Sequence, residues 1–209
     1  MAHDHSHPHP HQPDLEETPL THYQAMTEAV GQLLIEKGVI SGEELRAVLE
    51  QIDSKSPAAG ARMVARAWVD DDFKARMLAD VNKAAEEMGI DAGTIPIRAV
   101  ENTEAVHNVI VCTLCSCYPR NLIGLPPDWY KARSYRSRTV REPRAVLTEF
   151  GTSIPEAVEV RVHDSTADLR YMVLPARPAG SEGLDEAALA DLVTRDCMIG
   201  VTLPKNPDP

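Results

Sequence analysis

Val111-Cys112-Thr113-Leu114-Cys115-Ser116-Cys117 is the stretch from which the rest of the chain is best read. It holds three of the four cysteines; the fourth, Cys197, lies far away in sequence. The C-x-x-C-x-C spacing places three sulfurs in one tight loop, close enough to grip a single metal ion. The backbone amides of Ser116 and Cys117 lie between the last two sulfurs, so a claw of three thiolates and two backbone nitrogens is geometrically available. Clustered thiolate is soft and selects zinc, iron–sulfur or another transition metal over magnesium or calcium. On spacing alone several readings stay open. A zinc site wants four ligands, and His107 or Cys197 would have to complete it from an unfamiliar spacing. An iron–sulfur cluster has the same deficit. A redox C-x-x-C uses only Cys112 and Cys115 and leaves Cys117 unexplained.

Outward from the claw, Val106 to Val111 reads as a strand running directly into Cys112, and Thr94 to Val100 as a shorter one before it. A strand is a rigid base for a metal loop. After the claw, Gly124-Leu125-Pro126-Pro127 is a turn, and Pro127 opens a helix through Trp129 and Tyr130. Pro143 to Phe150 predicts a helix ended by Gly151. Val158, Val160 and Val162 alternate, Asp164-Ser165 turns, and Leu169 to Leu174 returns, which predicts an antiparallel hairpin. A last helix is expected over Asp185 to Thr194 and a last strand over Met198 to Leu203.

Before the claw the pattern is helical from about 22 to 89. Met26, Ala29, Val30, Leu33 and Leu34 form one stripe, stopped by Gly38. Ser41 with Glu44 is a capping box, followed by Leu45, Val48, Leu49 and Ile52. Pro57 opens a short third helix. Phe73, Met77, Leu78, Val81 and Met88 line a fourth, closed by Gly89. The first 20 residues carry His3, His5, His7, His9 and His11 among prolines. They read as a disordered tail, with weak scavenging of divalent metal as the sharper alternative.

The organisation expected is therefore a His-rich tail over 1–20, a helical arm over 21–90, and a metal-binding α+β domain over 91–209. A mixed or antiparallel sheet in that domain carries the claw loop. A chain of 209 residues with net charge −11 and pI near 5.1 disfavours nucleic acid or an anionic membrane as partner. No run approaches the roughly 18 apolar residues of a membrane span. No secretory signal is visible, so a reducing cytoplasm is the expected compartment.

Glu101-Asn102-Thr103, Val106-His107-Asn108 and the claw stretch together resemble the metal-binding region of nitrile hydratase α subunits. The likeness continues through Gly124 to Lys131, Tyr135-Arg136-Ser137-Arg138, Arg141-Glu142-Pro143-Arg144, Arg170 to Pro175 and Arg177-Pro178-Ala179-Gly180. It spans about residues 22 to 204. The resemblance implies one low-spin trivalent ion held by the sulfurs of Cys112, Cys115 and Cys117 and the amides of Ser116 and Cys117. It implies that Cys115 matures to a sulfinic acid and Cys117 to a sulfenic acid. Thr113, after the first cysteine, matches the Co(III) kind rather than the Fe(III) kind. The reaction implied is hydration of a small-molecule nitrile to an amide, with Lewis-acid polarisation of the nitrile. Cys117 and Ser116 are the expected catalytic residues. The nucleophile stays open between the Cys117 sulfenate oxygen, a hydroxide on the metal, and water activated by Cys117.

The same resemblance implies a separate β subunit, two of whose arginines hold the oxidised sulfurs, in a heterodimer or heterotetramer. A metal-insertion accessory protein is a further expected partner. The claw-bearing subunit of thiocyanate hydrolase resembles the same family and is the nearest rival; a zinc-binding module without activity is the rival from another class. One residue departs from the pattern: several family members carry tryptophan three residues after the last claw cysteine, where this chain has Arg120. His107 reads as structural, Cys197 as a buried thiol, and Trp129 and Tyr130 as core. The arginines at 133, 136, 138, 141 and 144 read as partners for acidic groups of another subunit.

Overall fold

A computed structural model describes residues 21–207 of the chain. The expected His-rich tail lies outside the described residues. The chain divides into two compact units that part between Glu50 and Gln51.

The first unit contains α1 (His22–Glu36) and most of α2 (Gly42–Asp53). Thr21 and Gln24 form a capping box on α1, and Ser41 and Glu44 form the one predicted for α2. Neither helix buries a residue. Their apolar stripes, Met26, Val30 and Leu33 on one and Leu45, Val48 and Leu49 on the other, are exposed.

The second unit opens with α3 (Ala58–Val69), α4 (Asp71–Ala79) and α5 (Val81–Glu87). Met63, Val64, Phe73, Met77 and Val81 belong to the same buried cluster as the strands that follow. The arm predicted over 21–90 thus spans both units, and α3 to α5 contribute to the core of the second. The single fourth helix predicted from Phe73 to Met88 is two helices. Asp80 is extended, and its carboxylate accepts from Lys83 N (3.1 Å), which ends one helix and caps the next.

Next come β1 (Ile97–Glu101), β2 (Val106–Val111), α6 (Arg120–Ile123), α7 (Asp128–Lys131), α8 (Arg133–Arg141) and α9 (Pro143–Glu149). The chain closes with β3 (Glu159–Asp164), β4 (Arg170–Leu174), α10 (Glu186–Leu192) and α11 (Arg195–Ile199). Helices outnumber and surround the short strands, so the class is α+β as expected.

The strand pairing differs from the expectation. β3 and β4 do not form a hairpin: β1 pairs with β4 and β2 with β3, both parallel, in two separate two-stranded sheets. The antiparallel reading fails because both ladders are non-local. β2 is buried from His107 through Val111, the near-continuous burial of a parallel strand covered on both faces. Its register with β3 ends at Val111 opposite Asp164.

The strand predicted over Met198 to Leu203 is instead helical at its start. Thr194 Oγ1 accepts from Cys197 N (3.2 Å), α11 runs to Ile199, and Gly200 ends it at φ +91. Only glycine fits there: a Cβ would collide with the carbonyl oxygen of Asn108 on β2.

Candidate metal centre

The claw loop leaves the end of β2 and is tied down on several sides. Ser165 N donates to Val111 O (2.7 Å), which carries the ladder one residue beyond β3. Asp164 takes both donors of Thr113, the backbone N–H at 2.9 Å and the hydroxyl at 2.6 Å. Arg136 Nη1 donates to Thr113 O (3.2 Å) and Tyr135 Oη to Ile110 O (2.8 Å), both from α8. On the far side of the loop, Tyr130 Oη donates to Cys117 O (3.1 Å) and Arg170 Nη1 to Tyr118 O (2.8 Å).

Beneath the loop lies an aromatic cluster. Tyr118 and Tyr130 meet edge to face at 5.0 Å, and Trp129 meets Tyr135 at 5.0 Å and Phe150 at 4.6 Å. Tyr130 therefore packs in the core as predicted and also holds the claw's last carbonyl.

The three predicted sulfurs converge. Cys112 Sγ lies 3.4 Å from Cys115 Sγ, which lies 3.2 Å from Cys117 Sγ. All three ligand atoms fall within 4.8 Å of one another. Cys112 and Cys117 are buried, Cys115 is exposed, and Ser116 between them is half-buried.

The cluster splits its own acidities. Hydrogen bonds from the Cys117 and Cys112 thiols, helped by the backbone amides of Ser116 and Cys117, hold the Cys115 pKa down to about 7. Burial, then contact with the other two thiols, pushes Cys117 up to about 12. One thiolate forms readily and the next is opposed by it. Three thiolates at this spacing need a cation to neutralise them, which is the donor chemistry of a soft transition-metal site.

The two side chains that a four-ligand zinc site would recruit are engaged elsewhere. His107 is buried, with Nε2 donating to Gly200 O (2.7 Å) and Nδ1 facing Asn102 Nδ2 (3.3 Å). That pairing assigns the proton to Nε2. The Cys197 thiol is buried and donates to Thr194 O (3.0 Å). Cys112, Cys115, Ser116 and Cys117 thus lie together as predicted, while His107 and Cys197 do not join them.

Arg120, which departs from the family pattern, is exposed at the start of α6. With Asn121, Thr94 and Arg170 it lines a separate pocket of about 210 Å³ beside Tyr118. Asp164 is the site residue that the sequence reading missed. It stands there only as a turn residue, and nothing local joins it to Thr113, 51 positions earlier.

Residues 21–202 match the family described as nitrile hydratase, alpha chain. The chain belongs to this family. The low-molecular-weight cobalt-containing nitrile hydratase α subunit of Rhodococcus rhodochrous is 50% identical over 185 residues, 88% of this chain and 89% of that one. The cobalt-containing α subunit of Pseudonocardia thermophila is 47% identical over 85% of this chain and 88% of its own length. The thiocyanate hydrolase γ subunit of Thiobacillus thioparus is 40% identical over 92% of this chain and 84% of that one.

Among solved structures, the nitrile hydratase α-chain fold seen here superposes on a recombinant thiocyanate hydrolase with partially modified cobalt centres. The TM-score is 0.84 at 40% identity, over 90% of this chain and 92% of that one. It also superposes on an Fe-type nitrile hydratase of Comamonas testosteroni Ni1, with TM-score 0.82 at 42% identity, over 88% of this chain and 91% of that one. This family member therefore has both cobalt and iron relatives.

Proposed function

We propose that the chain is the catalytic α subunit of a cobalt nitrile hydratase, adding one water to a small nitrile to give the amide. The observation that carries this reading is the convergence of the Cys112, Cys115 and Cys117 sulfurs within 4.8 Å at the end of a buried strand. Cys112, Cys115 and Cys117 would hold the ion through sulfur, and Ser116 and Cys117 through their backbone nitrogens. Bound there, trivalent cobalt supplies Lewis acidity toward the nitrile. The cobalt-containing relatives support that metal over iron.

The chain's own residues divide the remaining work. Cys115, exposed and with its pKa lowered to about 7, is the sulfur most open to oxidation by molecular oxygen. We assign it the sulfinic state and Cys117 the sulfenic state. The oxygen on Cys117 then accepts the proton of the incoming water, and Ser116 orients that water beside it. Asp164, Arg136 and Tyr130 fix the loop so that these groups do not move during the reaction. Leu114 at the tip of the loop is 84% exposed, which suits cover by a β subunit in a heterodimer or heterotetramer. Cobalt loading falls to an insertion accessory protein in a reducing cytoplasm.

The test is peptide mass spectrometry across Cys112 to Cys117, on protein co-expressed with its partner and cobalt. It is paired with metal analysis and amide release from a short aliphatic nitrile. Two added oxygens on Cys115, one on Cys117, and amide production are expected; plain thiols with no amide from cobalt-loaded protein would sink the reading.

A second reading, thiocyanate hydrolysis, is favoured by two observations. The thiocyanate hydrolase γ subunit aligns over 92% of this chain, and Arg120, three residues after Cys117, shares with Arg170 a pocket lined by Tyr118, a charge suited to an anionic substrate. Parallel assays with nitrile and thiocyanate on the same preparation separate the two.

A further inference from the structure

Four of the five arginines between 133 and 144 donate to groups within the chain, but only Arg138 meets a carboxylate among the described residues. Arg138 pairs with Glu142 (2.6 Å) and Glu149 (2.5 Å), and Arg144 donates to the carbonyls of Ile154 (2.9 Å) and Val158. The other three, Arg133, Arg136 and Arg141, all line one groove beside α8, and Arg136 and Arg141 each give one N–H to a backbone carbonyl, of Thr113 and Ser137 (3.2 Å each). None of them reaches a carboxylate among the described residues, in a chain whose net charge is −11. With Thr113, Ser137 and Val140 they line an open groove of about 590 Å³.

Arg136 is the half-buried member of the three. Its Nη1 is spent on the Thr113 carbonyl of the claw loop (3.2 Å). Its Nε is buried and finds no acceptor in the chain. A buried guanidinium N–H without an acceptor is costly, and native folds rarely leave one. That buried N–H holds the guanidinium in place, and what Arg136 offers to a carboxylate is the part of its guanidinium that lines the groove. The lining carries apolar surface as well: Val140 is 51% exposed, and Leu114, the residue after Thr113, is 84% exposed. Arginine charge without a carboxylate partner, set beside exposed apolar surface, is the composition of a protein interface rather than of a site for a free anion.

We propose that this groove receives an acidic, partly apolar segment of the partner subunit, one of whose carboxylates closes on the Arg136 guanidinium. This inference rests on the two-subunit reading above and adds which surface is used and what chemistry it takes. Because Arg136 also holds Thr113, docking of that carboxylate fixes the claw loop and the partner in one contact. Arg136 is then a positioning residue, acting on the claw through the Thr113 carbonyl.

The experiment measures assembly rather than turnover. The full chain is titrated with the co-purifying β subunit, after separation, at low and high NaCl, and association and dissociation rates are recorded. For Arg133→Glu combined with Arg141→Glu, both exposed, association should slow by about tenfold at low salt and lose its salt dependence. Arg136→Lys, which keeps the charge and loses the planar guanidinium that both reaches Thr113 and lines the groove, should speed dissociation by about tenfold. Lys83→Glu, on α5, serves as the control for a distant charge reversal, and unchanged circular dichroism establishes that each variant folds. A photo-crosslinking amino acid at Ser137 should capture an Asp/Glu-rich peptide of the partner.

Rates that stay within about twofold for all three arginine changes overturn the proposal. So does a groove that responds to inorganic phosphate while assembly does not, since it is then a small-anion site. A wild-type chain that forms no complex overturns the proposal together with the two-subunit reading. A complex that depends on the groove yet releases no amide leaves this inference standing and removes the nitrile hydratase activity.

Discussion

Asp164 holds Thr113 by both of its donors, one carboxylate oxygen on the backbone N–H at 2.9 Å and the other on the hydroxyl at 2.6 Å. The bond pair joins the last residue of β3 to the residue after the first claw cysteine. It fixes the direction in which the loop leaves β2, and so where Cys115 and Cys117 fall relative to Cys112. Asp164→Ala is expected to widen the sulfur cluster and to cut bound metal per chain by more than half. Asp164→Asn, which keeps one acceptor, should fall between. Full metal occupancy in the alanine variant, read by elemental analysis, would show that the clamp does not govern the claw.

Acidity within the claw gives a second prediction. In metal-free, reduced protein Cys115 titrates near 7 while Cys117 is pushed up to about 12. A thiolate is the reactive form, so alkylation by iodoacetamide should begin at Cys115, with a half-maximal rate near pH 7. Cys117 should remain largely unlabelled at that pH. Peptide mapping over a pH series reads both sites, and equal labelling of the two would contradict the geometry. Loading with cobalt should protect all three cysteines.

Two histidines, His107 on β2 and His163 on β3, make stability depend on pH. Burial lowers the pKa of His107 from the ordinary 6.5, and burial with the nearby Arg161 charge lowers that of His163. His163 Nε2 donates to Asn108 Oδ1 (2.8 Å), and a second proton on His107 would face the Asn102 amide donor. A base with a depressed folded pKa leaves the unfolded chain with more protons at low pH. Their contribution is therefore fully present above about pH 6.5 and is lost as the pH falls through the folded values. The melting temperature of the metal-free chain should decline between pH 7 and pH 5, and His163→Gln should flatten part of that slope. A melting temperature constant over this interval would exclude the buried, neutral histidines.

Gly200 supplies a purely steric test. Its φ of +91 costs an L-residue about 1–3 kcal/mol, and a Cβ would in addition meet the Asn108 carbonyl and, at 2.9 Å, Val109 Cα. Gly89 has φ +68 but open space around it, so Gly89→Ala incurs the backbone cost alone. Gly200→Ala should lower the urea midpoint well beyond Gly89→Ala, or abolish soluble protein. Equal midpoints would mean that α11 does not press on β2.

The sulfur cluster was legible because it is local: Cys112, Cys115 and Cys117 lie within six residues, and C-x-x-C-x-C needs no distant partner. The Ser41 and Glu44 cap and the helix after Asp185 were legible for the same reason. Strand pairing was not, since alternation at Val158, Val160 and Val162 marks a strand without naming its neighbour. Met198 to Leu203 misled because a short apolar run suits strand and helix equally, and the deciding cap, Thr194, lies before the run. α8 was passed over as a charge cluster. Its inward face is only Tyr135 and Thr139, four apart, hidden among arginines.

The parallel pairing of β2 with β3 also sets an order of events during synthesis. The ribosome delivers Cys112, Cys115 and Cys117 well before Asp164, which lies 51 residues beyond Thr113. Until that later strand arrives, the nascent cysteines hang on an unpaired β2 and Thr113 lacks the carboxylate that takes both of its donors. Ion capture in the final geometry is therefore a late step, open only once translation has passed residue 164.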